Sequence, residues 1–431
     1  LRAASLAHGR RLLAGLGWRP AAATVMQQFE RPARPRAAGR IAVVGALPPA
    51  RTAIAPFTLA YLQSPAWRTD FFEANAAPRL ASGGELLPGN RLYPAEILPT
   101  ALARGDHDTV IFVLGNSAHH APTLRAALAT RLGCRQRRLA YLHEANLELL
   151  LRACLGSAAA DLPAAPVAAG VAPWIGRTLA ALPQIGRSLR FLADTAELDG
   201  LIVNSRACRD LVRGALGPAA DRWTIDVAFL PVVADLDRGG AGGSAEPAVL
   251  RVGTFGIGGD SKRLDLVTRG VALLARSRPV RLTVAGWSAA RHCRRTGIQS
   301  LSFVEVHDGP DDTRLDELMR AVDVAVQLRT PTHGESSGAV ARLLGLGRQV
   351  VVTGEGSFAE LPPSLTSAVA ADCTAADLAA AIEAAAARRP AAADVRQALA
   401  PWSPAAFERC FAELLGCAAR SRAVPATRVS A

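Results

Sequence analysis

The feature that most limits what this chain can fold into is a run of short apolar segments alternating with helical ones, which stops at a glycine-rich joint and then starts again. Residues 41–45 read as a buried strand, and Pro48 and Pro49 turn the chain into a helix near residues 52–62. Further strands are predicted at 109–114, 139–142 and 201–203, each followed by a helical stretch, with Ser205 placed to cap the helix through Leu211. The pattern loosens over residues 235–246, which hold four glycines, and I-, L- and V-rich strands resume at 249–253, 281–285, 301–306, 324–328 and 349–353. Alternation of this kind gives parallel, doubly wound sheets. The expected fold is therefore α/β, two Rossmann-like domains over residues 41–235 and 236–400, facing each other across a cleft. Ligands of such sheets bind beyond the carboxyl ends of the strands, so functional residues belong in the loops from strand to helix.

Length agrees, since 431 residues exceed what one core usually holds. The formal net charge of +12 suggests nucleic acid until it is located. Residues 1–40 carry eight arginines against Glu30, and residues 418–431 carry three more, so most of the excess lies in two ends expected to be disordered. With only 5% aromatic residues, a nucleic-acid reader is disfavoured. The basic ends leave a different expectation, peripheral contact with the inner face of a membrane. The weakly charged stretch 164–175 is interrupted by Pro166 and Pro173 and is too short to span a bilayer, and the N-terminal apolar runs are broken by Arg10, Arg11 and Arg19, so cytoplasmic residence is expected. Seven scattered cysteines without a C-x-x-C pair suggest neither a disulfide framework nor a metal site. Of 49 basic residues 48 are arginine, and the one lysine is Lys262. An ammonium and a guanidinium are not interchangeable in a tight phosphate site, which singles out Lys262.

Four loops carry the candidate chemistry. Residues 331–338 follow a strand and open a helix over 339–346; free amides at Ser336, Ser337 and Gly338 suit a diphosphate, while Glu335 either binds sugar hydroxyls or caps its own helix. Residues 253–263 form a glycine-rich loop with Gly256, Lys262 and Arg263, matching neither G-x-G-x-x-G nor a P-loop. It delivers cations towards the same cleft, where a diphosphate leaving group needs neutralising. In the first half, Asn116 and His120 follow the strand 109–114, and His143 and Glu144 follow the strand 139–142. A histidine at a strand end is more often structural than catalytic, but two such sites in the predicted cleft favour function.

Taken in order, these loops resemble family 4 of the retaining glycosyltransferases, of the two-Rossmann-domain GT-B type, over residues 41–415. Gly334-Glu335-Ser336-Ser337-Gly338 is similar to that family's donor-site segment, residues 253–262 to its phosphate loop, and residues 141–146 to the segment with its active-site histidine. The resemblance implies that His143 contacts the donor sugar or reacting centre, that Lys262 binds the donor phosphates, and that Glu335 holds a sugar hydroxyl. It implies a nucleotide-diphosphate sugar as donor substrate, a glycan or lipid-linked acceptor, no metal or other cofactor, and retention by front-face attack without a carboxylate nucleophile. It also implies that the helical segment 401–417 crosses back onto the first domain. Three features depart from the family pattern: residues 51–56 stand where a Gly-rich loop is frequent, Leu343 where a second glutamate is usual, and Thr254 where an arginine is common. Leu343 and Thr254 motivate the alternative of a catalytically silent module that binds nucleotide or a partner protein.

Overall fold

The computed structural model describes residues 40–50, 52–74, 86–130, 136–163, 167–236, 249–256 and 258–416. The basic ends, and with them the expected membrane contact, lie outside the described residues. Runs of β-branched residues make strands because each can bury both faces. In β1 (Arg40–Gly45), Ala42 and Val44 join one core while Ile41 and Val43 join another on the opposite face. The same alternation repeats in β4 (Thr109–Leu114). With β2 (Arg68–Glu73), β3 (Arg91–Pro94), β5 (Arg137–Leu142), β6 (Gly200–Val203) and β7 (Thr224–Val227) they form a seven-stranded parallel sheet ordered β3-β2-β1-β4-β5-β6-β7.

The second series forms a six-stranded parallel sheet, ordered β10-β9-β8-β11-β12-β13. Its strands are β8 (Leu250–Phe255), β9 (Val280–Gly286), β10 (Val304–Asp308), β11 (Val324–Gln327), β12 (Gln349–Thr353) and β13 (Thr366–Val369). Helices cover both faces of each sheet, as the doubly wound reading requires. The strand expected from residue 301 begins instead at Val304, after a 3-10 turn at Ile298–Ser300.

Among the described residues the chain passes from one domain to the other twice, at adjacent points. After β7, Val232 already packs in the second domain's core, and its N–H donates to the carbonyl of Trp402 over 2.7 Å. The ring of Phe229 lies 5.6 Å from that of Trp402. Beyond Trp402, Ser403 caps the helix Pro404–Leu414, which seats Phe407 and Phe411 in the first domain's core beside Phe57 and Trp67. Among the described residues no helix is long and apolar enough to cross a membrane.

Candidate active site

Strand β5 ends at Leu142, and the next residue, His143, is anchored by its N–H to the carbonyl of Leu114 at 3.1 Å. Its imidazole stands edge-on to Phe57, with ring centres 4.7 Å apart, and lies 5.0 Å from Tyr141. Two side chains fix its protonation. The Tyr141 hydroxyl donates to Asn204 Oδ1 over 2.6 Å, so Asn204 Nδ2 faces His143 Nδ1, 3.0 Å away, and donates to it. The histidine proton is thereby assigned to Nε2, an atom that is buried and has no partner. Burial, with a smaller contribution from His120, lowers the His143 pKa to about 3. His120 is fully buried, bonds Nδ1 to the Val113 carbonyl at 3.2 Å, and is lowered by burial to about 4. Both rings are neutral at physiological pH.

Asn116 is committed elsewhere, since its Oδ1 accepts from Leu149 N over 2.7 Å in the first turn of the helix Glu148–Leu155. Glu144 reaches across the cleft, its Oε2 lying 3.0 Å from His333 Nδ1. Beside it Ala145 N donates to the His333 carbonyl over 2.9 Å, Ser205 Oγ to that of Gly334 over 2.9 Å, and Ser336 Oγ to that of Asn204 over 3.2 Å. Gly334 is needed here. Its φ is +76°, and a Cβ would stand 2.8 Å from Cys208 Cα in the first turn of the helix Arg206–Leu216. Glu360, from the second domain, accepts from Arg206 N and Ala207 N of that helix at 3.1 and 2.7 Å.

On the second domain, the helix Gly338–Gly345 is capped by Ser337, whose Oγ accepts from Val340 N over 3.3 Å. Glu335 is therefore not the cap. Its carboxylate turns back into its own loop, pairing with Arg329 and accepting from His333 N at 2.6 Å and Thr332 Oγ1 at 3.2 Å. Burial works to raise its pKa, but the Arg329 and His333 charges and these bonds hold it below the usual range. Ser337 takes the Val340 amide, and the first-turn amides before it lack intrahelical acceptors, at the helix end that lies beside the loop after β8. A Cβ on Gly256, whose φ is +104°, would lie 3.7 Å from Ala339 Cβ and only 2.7 Å from Lys262 Nζ, so the ammonium occupies space that only glycine leaves. Lys262 Nζ donates to the Phe255 carbonyl over 2.6 Å; burial first, then the Arg329 charge, bring its pKa down to about 7, with Glu335 offsetting part.

Lys262, Gly256, Glu335 and the Ser336, Ser337 and Gly338 turn thus gather on one side of the cleft, with His143 and Glu144 on the other. Arg263 does not join them. It sits at φ +49°, in the left-handed region, and its Nη1 lies 3.3 Å from the Ala371 carbonyl. The arginine beside Lys262 and Glu335 is Arg329, just beyond β11. One shallow hollow is lined by Gly256, Gly258, Lys262, Ala289 and His292, and another by Asn204, Ser336, Ser337, Ser357 and Glu360. Among the described residues, no cluster of three or more His, Cys, Asp or Glu side chains is placed to hold a metal ion.

No protein-family model and no curated protein matches the chain. Solved structures do share its fold. The lipopolysaccharide outer core galactosyltransferase WaaB superposes with a TM-score of 0.54 at 11% identity, over 88% of this chain and 99% of its own. A UDP-forming α,α-trehalose-phosphate synthase from Burkholderia xenovorans, solved with glucose-6-phosphate, gives 0.58 at 13%, over 88% and 100%. HepE from Anabaena, solved with UDP and glucose, gives 0.53 at 13%, over 88% and 99%. At these identities the likeness speaks for architecture, and the architecture of this chain is GT-B, two parallel-sheet Rossmann-like domains facing across a cleft.

Proposed function

We propose that the chain is a retaining glycosyltransferase that moves a hexosyl group, of mannose or glucose type, from a nucleotide-diphosphate sugar to a glycan or lipid-linked acceptor. The observation that carries this reading is the meeting of the Lys262 ammonium, the space left by Gly256 and the open start of the helix Gly338–Gly345, across the cleft from a neutral histidine whose Nε2–H has no partner. Cations and aligned amides suit a diphosphate, and they stabilise the charge that grows on it as the glycosidic bond breaks. The Nε2–H of His143 is suited to an oxygen of the donor sugar. Glu144 is paired with His333 across the cleft and Glu335 with Arg329 in its own loop, which accords with front-face attack, the leaving diphosphate taking the acceptor's proton.

Removing Lys262 is the direct test. In Lys262→Ala, turnover should fall by about 10²–10³-fold while the fold persists, as for loss of one preorganised donor to a developing anion. Calorimetric binding of nucleoside diphosphates and a transfer assay over a panel of nucleotide sugars read the two effects separately. Wild-type rates in that variant would sink the site assignment. The alternative, a silent nucleotide-binding module, draws on Leu343, which is fully buried and offers no carboxylate to a ribose. Nucleotide binding without donor hydrolysis or transfer to any acceptor would favour it.

A further inference from the structure

The cluster around Lys262 does not balance its own charge. With Lys262 protonated, it and Arg329 are two cations against the one carboxylate of Glu335 between them, while His333, next in the loop, faces Glu144. The two cation-bearing loops are tied backbone to backbone, Thr330 N donating to the Ser261 carbonyl over 2.9 Å, so the charges are held together. Arg329 is also fixed at its base, where its N–H donates to Thr353 Oγ1 over 3.0 Å, and its guanidinium lies 6.0 Å over the Phe358 ring. Only 20% of its side chain is exposed, and its Nε is buried with no acceptor. Excess positive charge held out of water is unfavourable until an anion compensates it.

We propose that Arg329 is a second diphosphate-binding cation, a catalytic residue that grips the donor's leaving group from the end of β11. The proposal rests on the glycosyltransferase reading and adds a residue to it. Two cations and a helix start match two linked phosphates, and a guanidinium that meets Glu335 through Nη1 alone keeps a further N–H to fork onto phosphate oxygens. When the donor enters, its diphosphate takes over Arg329, and Glu335, released from its ion pair, becomes an acceptor for a hydroxyl of the donor sugar. In the transfer step the bond from the anomeric carbon to the phosphate oxygen breaks and its electron pair stays on the diphosphate. The acceptor oxygen bonds to that carbon, and its proton passes to the diphosphate, which Arg329 and Lys262 neutralise meanwhile.

The test is a double-mutant cycle on the full chain, Arg329→Gln, Glu335→Gln and both together, titrated calorimetrically with UDP, GDP, UMP and GMP. Diphosphate affinity should fall by about tenfold to a hundredfold in Arg329→Gln, with monophosphate affinity changed by less than about threefold. The loss should persist in the Glu335→Gln background, where a residue that served only to neutralise Glu335 would have no further effect. The double variant also restores the charge count and keeps the test open should Arg329→Gln alone fail to fold. Equal losses for mono- and diphosphates, no loss at all, or a loss that vanishes without Glu335 would overturn the assignment. A wild-type chain that binds no nucleoside diphosphate would overturn the glycosyltransferase reading and this one with it, whereas transfer by wild type with undiminished diphosphate binding in the variants would overturn this one alone.

Discussion

Lys262 has a consequence that titration can read. Because burial and Arg329 hold its pKa at about 7, much of the ammonium is unprotonated just above neutrality, and an arriving diphosphate must draw a proton onto it. Diphosphate affinity should fall as pH rises above about 7, by up to about tenfold per unit, and Lys262→Arg should flatten the profile because a guanidinium stays charged. A wild-type affinity that is constant through this range would contradict the account. For the empty protein the sign follows from the unfolded lysine holding its proton up to about 10.5: between about 7 and about 10.5 the unfolded state binds more protons, so this residue's contribution to stability improves as pH rises. Rarity made Lys262 legible, the one lysine among 49 basic residues. Arg329 was hidden by the opposite circumstance, one arginine among 48, and only its place just past a strand signalled it. Arg263 misled through adjacency, since its left-handed backbone sends the guanidinium to Ala371. Leu343 is a core residue, 0% exposed, and Leu343→Glu should destabilise by about 3–5 kcal/mol in denaturant unfolding, the cost of an unpaired buried charge, and should not supply a ribose ligand.

Among elements, the strands rich in valine and isoleucine were legible because nothing in them competes with burial. β2 was not, because its sequence Arg-Thr-Asp-Phe-Phe-Glu breaks the apolar pattern. The charges are accommodated by partners that no local window contains. Asp70 bonds Arg40 at 2.6 Å and His107 at 2.9 Å, and Glu73 accepts from Leu47 N at 2.7 Å. β3, β7 and β13 are four residues each and mix polar with apolar side chains, whereas β6 and β11, equally short, are almost wholly apolar. Capping was half legible. Ser205 was readable as the cap of its helix and does accept from Cys208 N at 2.9 Å, but Glu360, 153 residues away from Ala207, takes the first two amides from the other domain. Glu360→Ala should cost about 0.5–2 kcal/mol, the range for losing a cap, and should loosen the two domains as well as the helix. Unfolding in urea reads the first effect and small-angle scattering the second. A variant with unchanged radius and stability would show the cross-domain bond to be idle.

For the molecule as a whole, the two domains are joined by a pair of crossings and by polar contacts over the cleft. Phe411, fully buried where the C-terminal helix returns to the first domain, should cost about 3–5 kcal/mol when changed to Ala, measured by chemical unfolding. A result near zero would mean that the returning helix does not hold the domain. His333 and Glu144 form the titratable part of the cleft contact. Burial opposes the imidazolium, but the Glu144 bond and the Glu335 charge prevail and raise its pKa. The bridge is therefore complete below the ordinary histidine value and lost as pH rises through the raised one, so scattering should report a wider particle on the alkaline side in wild type and no such transition in His333→Gln.

The neighbouring crossings at Val232 and Trp402 act on the geometry of that widening. A single connection would let one half spin and slide against the other, whereas two chain segments bonded side by side leave one easy movement, rotation about the line they define. Displacement then grows with distance from that line, like the travel of a door's edge. The cleft contacts meet again in the same register at every closure, and the orientation of His143 towards Lys262 is set by where the axle is mounted.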